Sequence, residues 1–577
     1  MKTKKMINSA DDIISELIDG MVGAHPDILT LEGQTGRAVV AINGPRDGKV
    51  GIVLGGGSGH EPAFSGYVGK GFADAVAVGN VFASPSPDQI VDAALAANGG
   101  VGVLFLYGNY TGDVMNFSMA VEQLSKQDIH AASVLVTDDV ASAPADKPDE
   151  RRGIAGGFFV FKCAGAAADL GFDFETVSRL SKHANDMTRS SGVALGACSL
   201  PQTCRANFEI GPEDMEVGMG IHGEPGIART KLQSADAVVD QLLDLILADM
   251  PLERGDRVAI LVNGLGSTSL MELYILHRHL RARLTDLGVE IHQSWVGNYV
   301  TALEMAGASI SLMKLDQELA KLLDHPCHTP ALQVGTVTVP TQKHREIRHK
   351  NEHIQPPMQL RENLIAQGDI TPAIFKDMMF AVAETISKNK DWLCELDGFI
   401  GDADHGITMD IGWRAVRDGL IKMENNETIS MMCEKSAKLF LGAVGASVGP
   451  LYATGFERAG QSVIDRLHLD NAAIHRWLTA MVQGIIERGG AKPGDKTMVD
   501  AWGPAIEAAK LEYTVLDSFC AASAAAKRGM RATCDMQAAK GRSSKLGARS
   551  VGHIDPGAAS AFLILSAMDE AAQKALG

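Results

Sequence analysis

Short, nearly continuous apolar runs alternate with glycine-rich turns and helical patterns through the first third of the chain. Residues 50–54, 101–106 and 133–136 are runs of this kind, as expected for strands covered on both faces, and the alternation predicts an α/β architecture. A second α/β part is expected after about residue 190, with a strand over 257–262 and an amphipathic helix over 270–287. Between 334 and 360 the pattern dissolves into Pro340, a basic run over 343–350, and Pro356 with Pro357. That stretch reads as a linker whose charges are either solvated or touch a nucleotide or an acidic domain. From Gln359 to Gly577 strand-like runs almost disappear, and alanine- and leucine-rich helical patterns follow one another between glycine-rich loops. An all-α domain of roughly seven or eight helices is predicted there. The expected division is 1–190 and 191–335 for two α/β parts, 336–360 for the linker and 361–577 for the helical domain.

A chain of 577 residues exceeds what one hydrophobic core supports, which agrees with several domains. Its formal charge of −17 excludes a general nucleic-acid binder, because such a protein needs a basic surface to displace counterions. The eight cysteines include no CxxC pair, so neither a disulfide framework nor a zinc site is indicated and a reducing cytoplasm is expected. Lys2, Lys4 and Lys5 are followed by Asp11, Asp12 and Glu16 where a secretory signal needs an apolar core, and no run approaches a membrane span. The expectation is a soluble cytoplasmic protein without a membrane partner.

The densest candidate chemistry is Asp397-Gly-Phe-Ile-Gly-Asp402-Ala-Asp404-His405-Gly406. Three carboxylates so close repel one another unless a multivalent cation lies between them, and Mg²⁺, which prefers oxygen ligands and leaves positions for phosphates, is the expected occupant. The alternative is an acidic loop that caps the helix starting near Ile407. Gly442 to Pro450 offers close backbone approach, the Ser447 hydroxyl and a following helix start, suited either to phosphate or to tight helix packing. Pro493 to Met498, Gly541 to Ser544 with Arg542, and Asp555 to Gly557 add turns, helix entries and a fixed cation. No G-x-x-x-x-G-K-[ST] motif occurs, which rules out a P-loop enzyme. In the α/β half, Gly55 to Pro62 and Asn109 to Asp113 follow strands and bring His60 and Asp113 to the sheet edge where ligands bind. There they are either an acid/base pair or structural hydrogen-bonders. Gly218 to Gly223 matches G-x-G-x-x-G but lacks a convincing flanking strand and helix, so a dinucleotide site is rejected. What remains there is His222 between glycines, accessible to a small ligand and able to act as a nucleophile.

Taken in order, Gly55 to Pro62, Asn109 to Phe117, Gly218 to Gly226, Gly297 to Lys314, DGFIGDADHG, GASVGPLY, GDKTMVD and GRSSKLGARSVGHIDPGA resemble the single-chain dihydroxyacetone kinase family over nearly the whole length. The resemblance implies an N-terminal ketose-binding region, a linker and a C-terminal ATP-binding barrel of helices. It implies that His222 holds the substrate carbonyl as a hemiaminal, that Asp113 takes the proton of the hydroxyl being phosphorylated, and that His60 assists. Gly57, Ser58 and Gly108 would line the substrate, and Asp397, Asp402 and Asp404 would hold Mg²⁺ on the ATP phosphates. His405, Thr408, Gly445, Ala446, Ser447, Gly494, Lys496, Thr497, Met498, Arg542, Asp555 and Gly557 would bind the nucleotide. The two halves must meet across a domain interface, within a chain or between the chains of a homodimer. Gly108 stands where many members carry a lysine, and the missing side chain is expected to leave room for a larger ketose such as erythrulose. Lys545 and Ala548 depart from the family's aromatic and acidic residues near the nucleotide. A phosphotransferase component fed by a carrier protein and a non-catalytic sugar sensor are the competing classes.

Overall fold

The computed structural model describes residues 3–337, 369–423 and 427–577, and the chain forms two compact units, 1–348 and 349–577. The linker expected over 336–360, with its basic run, lies outside the described residues from 338 onward. No helix among the described residues is long and apolar enough to cross a membrane.

The first unit holds two six-stranded sheets. One contains β1 (Leu29–Glu32), β2 (Ala38–Ala41), β3 (Gly51–Ser58), β4 (Ala75–Val81), β5 (Val103–Gly108) and β6 (Ala131–Val136), in the order β1-β2-β4-β3-β5-β6. Neighbours from β4 to β6 are parallel and the first two pairings antiparallel. This sheet is accompanied by α1 (Ile13–Ala24), α2 (Pro87–Ala97), α3 (Thr111–Ser125), α4 (Gly157–Asp169) and α5 (Phe174–Asp186). Val53 and Phe105 of the sheet share one core with Ile90 and Ala94 of α2 and Phe117 and Leu124 of α3. The crossover helix α2 begins at a capping box between Ser86 and Gln89 with Pro87 in its first turn, the arrangement that satisfies orphan amides at a helix start.

The second sheet is built from β7 (Thr188–Ala194), β10 (Asp214–Val217), β11 (Ala228–Lys231), β12 (Arg257–Gly264), β13 (Glu290–Gly297) and β14 (Gly307–Leu315), ordered β11-β10-β7-β14-β12-β13. All its pairings are antiparallel except β12 with β13. Two small hairpins, β8 (Ser199–Leu200) with β9 (Arg205–Ala206) and β15 (Cys327–His328) with β16 (Gln333–Val334), complete the strands. Helices α6 (Ala235–Asp249) and α7 (Leu270–Asp286) pack Leu243, Leu276 and Leu280 onto Val258, Ile260 and Ile310, and α8 (Gln317–Asp324) follows β14.

Two expectations change here. The glycines after Leu54 are not a turn: Gly55 and Gly56 pair with Ala77 and Val78 inside β3. A Cβ at Gly55 would lie 2.4 Å from Phe117 Cζ and one at Gly56 2.3 Å from Phe64 Cε2, so their absence lets aromatic rings pack directly on the strand. A strand, β10, does precede Gly218, yet turns and then β11 follow it, and no helix starts there. The dinucleotide reading therefore fails at its helix.

The second unit is helical: α9 (Pro372–Lys388), α10 (Lys390–Ile400), α11 (His405–Ile421), α12 (Ile429–Ala443), α13 (Val448–Ser462), α14 (Asn471–Gly489), α15 (Val499–Ala509), α16 (Val515–Ala532) and α17 (Pro556–Leu576). The described residues thus form nine α-helices rather than seven or eight, because Asn389 alone separates α9 from α10 and their apolar periodicities run together. Trp413, Trp477 and Trp502 are fully buried. Glycines bring backbones into contact, as where a Cβ on Gly529 of α16 would stand 2.1 Å from the Asp500 carbonyl of α15.

Candidate active site

In the α/β unit, β3 delivers the chain through Gly59, which has φ +98°, to His60. The positive φ is one that glycine adopts without strain. His60 is buried and stacks on Phe82 with ring centroids 5.0 Å apart. Its Nδ1 lies 2.7 Å from the Thr301 carbonyl and its Nε2 3.1 Å from Nε2 of His222. His222 sits in the loop between β10 and β11, where its Nδ1 is 2.8 Å from Glu224 Oε1 and its backbone N–H donates to Glu224 Oε2 at 3.0 Å. Asn207 donates to the His222 carbonyl at 2.8 Å. Arg152, buried and bonded to Asp139 at 2.7 Å, places a guanidinium nitrogen 4.0 Å from Glu224. A Cβ on Gly220 would stand 2.1 Å from Glu224 and 2.6 Å from Arg152, so this glycine is what lets the charged pair close beneath the loop.

These contacts fix where the protons are. A carbonyl only accepts, so His60 Nδ1 carries hydrogen and, in the neutral ring, its Nε2 is an acceptor. Burial, followed by the neighbouring His222, lowers the His60 value to about 3 and keeps it neutral. The 3.1 Å contact then needs the hydrogen on His222 Nε2, while His222 Nδ1 donates to the Glu224 carboxylate.

Asp113 lies in the first turn of α3 and is buried. The same helix start carries Tyr110, whose ring meets the His222 ring edge-on at 4.8 Å. Gly57 and Ser58 lie in β3; the Ser58 hydroxyl donates to Gly79 at 2.9 Å. A Cβ at Gly108 would be 2.9 Å from the Tyr110 ring, and the Tyr110 hydroxyl donates to the Gly153 carbonyl at 3.0 Å. Sequence reasoning missed Glu224, Thr301, Arg152 and Tyr110. Glu224, Thr301 and Tyr110 lie within quoted motifs, Glu224 two residues past His222, whereas nothing local marks Arg152.

In the helical unit, Asp397 belongs to the last turn of α10 rather than to a loop. One carboxylate oxygen from each of Asp397, Asp402 and Asp404 lies within 4.8 Å of the others. Asp404 precedes α11 without a side-chain capping bond, and it is Asp397 Oδ2 that accepts the amides of Asp404 and His405 at 3.0 and 3.2 Å. Capping thus uses one oxygen of Asp397 and leaves the clustering of three like charges unexplained, so an oxygen-loving divalent cation fits the set. His405 is buried, its value lowered by desolvation, and its Nε2 meets Ser560 Oγ at 2.9 Å. Thr408 lies in the first turn of α11. Gly445, Ala446 and Ser447 lead into α13. Met498 and Gly557 come together, a Cβ on Gly557 falling 3.5 Å from Met498 Cβ, and Asp555 accepts the Ala558 amide at 2.7 Å as the cap of α17. The amides of Gly494 and Thr497 are already taken by the Asp500 carboxylate, at 2.5 and 2.8 Å. The Lys496 ammonium is enclosed by backbone carbonyls. The side chains of Arg542 and Lys545 lie outside the described residues.

Residues 19–331 match the Dak1 domain and residues 399–570 the DAK2 domain. The chain is 36% identical over 566 residues to a D-erythrulose kinase of Mycolicibacterium smegmatis, spanning 97% of each. It is 35% identical over 580 residues to an L-erythrulose 1-kinase of the same organism, spanning 98% of this chain and 99% of the relative. Over 331 residues it is 45% identical to the dihydroxyacetone-binding subunit of a PTS-dependent kinase from Listeria innocua, 57% of this chain and 99% of that one. Among solved structures, the dihydroxyacetone kinase of C. freundii in complex with AMP-PNP and Mg²⁺ matches at TM-score 0.53 and 30% identity, covering 98% and 99% of the two chains. The two domains occur in order along one polypeptide that the two erythrulose kinases match over 97% and 98% of its length, and the chain therefore belongs to the single-chain dihydroxyacetone kinase family.

Proposed function

We propose that this kinase transfers the terminal phosphoryl group of ATP, with Mg²⁺, to a terminal hydroxyl of a short-chain ketose that His222 holds as a covalent hemiaminal. The observation that carries the adduct is the buttressed imidazole: Glu224 fixes Nδ1 of His222, and Nε2 points at a neutral His60 3.1 Å away. As the ketone carbon approaches, the shared proton moves to His60 and frees the Nε2 lone pair. The N–C bond forms, the C=O π bond breaks, and the proton passes from His60 to the carbonyl oxygen, which becomes a hydroxyl. The positive charge, carried by His60 while it holds the proton, returns to His222 opposite the Glu224 carboxylate. Such a step admits a ketone and rejects a polyol, which non-covalent contacts to so small a molecule do poorly. Asp113, in the helix turn whose Tyr110 touches His222, would accept the proton of the attacking hydroxyl. Asp397, Asp402 and Asp404 would hold Mg²⁺, which neutralises phosphate charge during transfer.

The erythrulose kinases among the full-length relatives favour a ketotetrose over dihydroxyacetone as substrate. Fusion of both halves favours direct use of ATP over a carrier protein, since the PTS-dependent subunit is a separate chain matching only the first half. A dihydroxyacetone kinase operon co-activator also matches only 56% of this chain, and the acidic triad, which a sensor does not need, lies outside that half. A cytoplasmic homodimer completes the proposal. The test is coupled ADP release with purified chain, ATP and a panel of dihydroxyacetone, both erythrulose enantiomers and glycerol, alongside ¹³C NMR of carbonyl-labelled ketose. Turnover of ketoses only, and movement of the labelled carbon to the tetrahedral region that His222→Ala abolishes, are expected. A labelled carbon that stays a ketone at saturation sinks the adduct, and ketose binding without ADP release supports the sensor.

A further inference from the structure

The GDKT segment, expected to bind the nucleotide, has its Gly494 and Thr497 amides taken by Asp500, and its lysine points elsewhere. Lys496 is fully buried and has φ +59°, a backbone conformation few side chains adopt. Its Nζ donates to the carbonyls of Thr533 at 2.8 Å, Ser550 at 2.7 Å and His553 at 2.6 Å, with Met536 at 3.2 Å. An ammonium has three hydrogens, so four converging carbonyls give it the kind of shell that backbone oxygens build around an alkali cation. The four acceptors come from two stretches, 533–536 and 550–553, of the connection between α16 and α17. Thr533 also accepts the Asp555 amide at 2.9 Å, and Ser550 accepts that of Ala538 at 2.9 Å. The His553 ring stacks on Phe399 of α10, centroids 5.0 Å apart and 16° from parallel. Phe399 lies between Asp397 and Asp402 in sequence. One buried cation therefore ties the segment carrying residues 533–553 to the helix that ends in the acidic triad.

We propose that Lys496 is a positioning residue for the nucleotide, a built-in monovalent cation that holds these loops in register with the triad without itself touching phosphate. The proposal rests on reading the helical half as the Mg·ATP site. Removing the ammonium leaves four carbonyls facing one another, those of Thr533 and Ser550 buried, which the loops relieve by moving apart. The cavity left by Lys496→Ala has the size and polarity for a small free cation.

The experiment uses the full chain and titrates Mg·AMP-PNP calorimetrically into wild type and Lys496→Ala, with and without ammonium chloride or tetramethylammonium chloride. Loss of a supporting shell of this kind lowers affinity about 10- to 100-fold. The expected result is such a loss, largely reversed by ammonium and untouched by the bulky tetramethylammonium, while the ¹³C signature of bound ketose is unchanged. Unaltered affinity, or a loss that ammonium does not reverse, overturns the proposal. Lys496→Gln, which keeps bulk and two donors, should fall between. Should neither variant fold, the residue maintains the fold rather than the nucleotide loops, and the proposal fails. Absence of Mg·AMP-PNP binding by wild type would instead refute the underlying site.

Discussion

At the scale of single residues, the imidazole pair is governed by proton accounting. The Glu224 carboxylate meets both a ring nitrogen and the backbone of His222. Glu224→Gln keeps the shape but loses the charge opposite the imidazolium. The ketose adduct should weaken by about tenfold or more, a difference of ~1.4 kcal/mol, read by ketose titration of the ¹³C signal, while Mg·AMP-PNP affinity is unchanged. His60 makes a prediction about pH. Its value is depressed to about 3 by burial and by His222, against an ordinary 6.5, so between those limits the unfolded chain binds a proton that the folded one refuses. Stability contributed here is present above about 6.5 and is lost as pH falls toward 3. His60→Asn removes that dependence, and its urea midpoint should fall less than that of wild type between about pH 7 and about pH 5. Equal falls would contradict the neutral His60 on which the proton path depends. His60 and His222 were both legible as chemistry-bearing residues, because each stands beside glycines in a motif. Their 3.1 Å contact was not, since 162 positions separate them and no local pattern reports which loops of two sheets converge.

At the scale of elements, glycine has two meanings here that a sequence does not separate. Gly55 lies mid-strand against Phe117, whereas Gly401 follows α10, where a Cβ would sit 2.1 Å from Asp397 Oδ1. Gly55→Ala should therefore cost stability, about 1–3 kcal/mol as an overpacked core, with turnover per folded molecule nearly retained. Gly401→Ala should leave the denaturation midpoint almost unchanged and raise the Mg²⁺ concentration needed for half-maximal turnover about tenfold, by displacing one carboxylate of the triad. Denaturant melts and Mg²⁺ titrations on the two variants distinguish these outcomes, and exchanged phenotypes would show both assignments to be mistaken. The strands within 50–54, 101–106, 133–136 and 257–262 were readable because buried strands are continuous apolar runs. Strands such as β7, Thr188–Ala194, were not, because its residues include Thr188, Arg189, Ser190 and Ser191. Two of its hydroxyls find partners only in the fold, Thr188 donating to the Ala184 carbonyl at 2.7 Å and Ser190 to Ser311 across the sheet at 2.6 Å.

At the scale of the whole molecule, the chain is two units with separate cores, and the proposed reaction assigns each one task. The Listeria subunit matched over 57% of this chain is 99% covered by that match, so a polypeptide the size of the α/β unit exists as a separate chain elsewhere. Residues 1–337 expressed alone should fold and form the ketose adduct without nucleotide, because His60, Thr301, His222, Glu224 and Arg152 all lie within them. Residues 369–577 alone should bind Mg·AMP-PNP, because the acidic triad and the Lys496 shell are both internal to that unit. Neither piece should release ADP above the background hydrolysis of ATP. Mixing them should restore ketose-dependent turnover only at concentrations high enough to replace the effective concentration that a covalent connection supplies, typically millimolar for a short flexible one. Rates that rise with the concentration of either piece and saturate at the value of the intact chain are the expected outcome. Ketose-dependent ADP release by residues 369–577 alone would show that the sugar is phosphorylated without the imidazole pair.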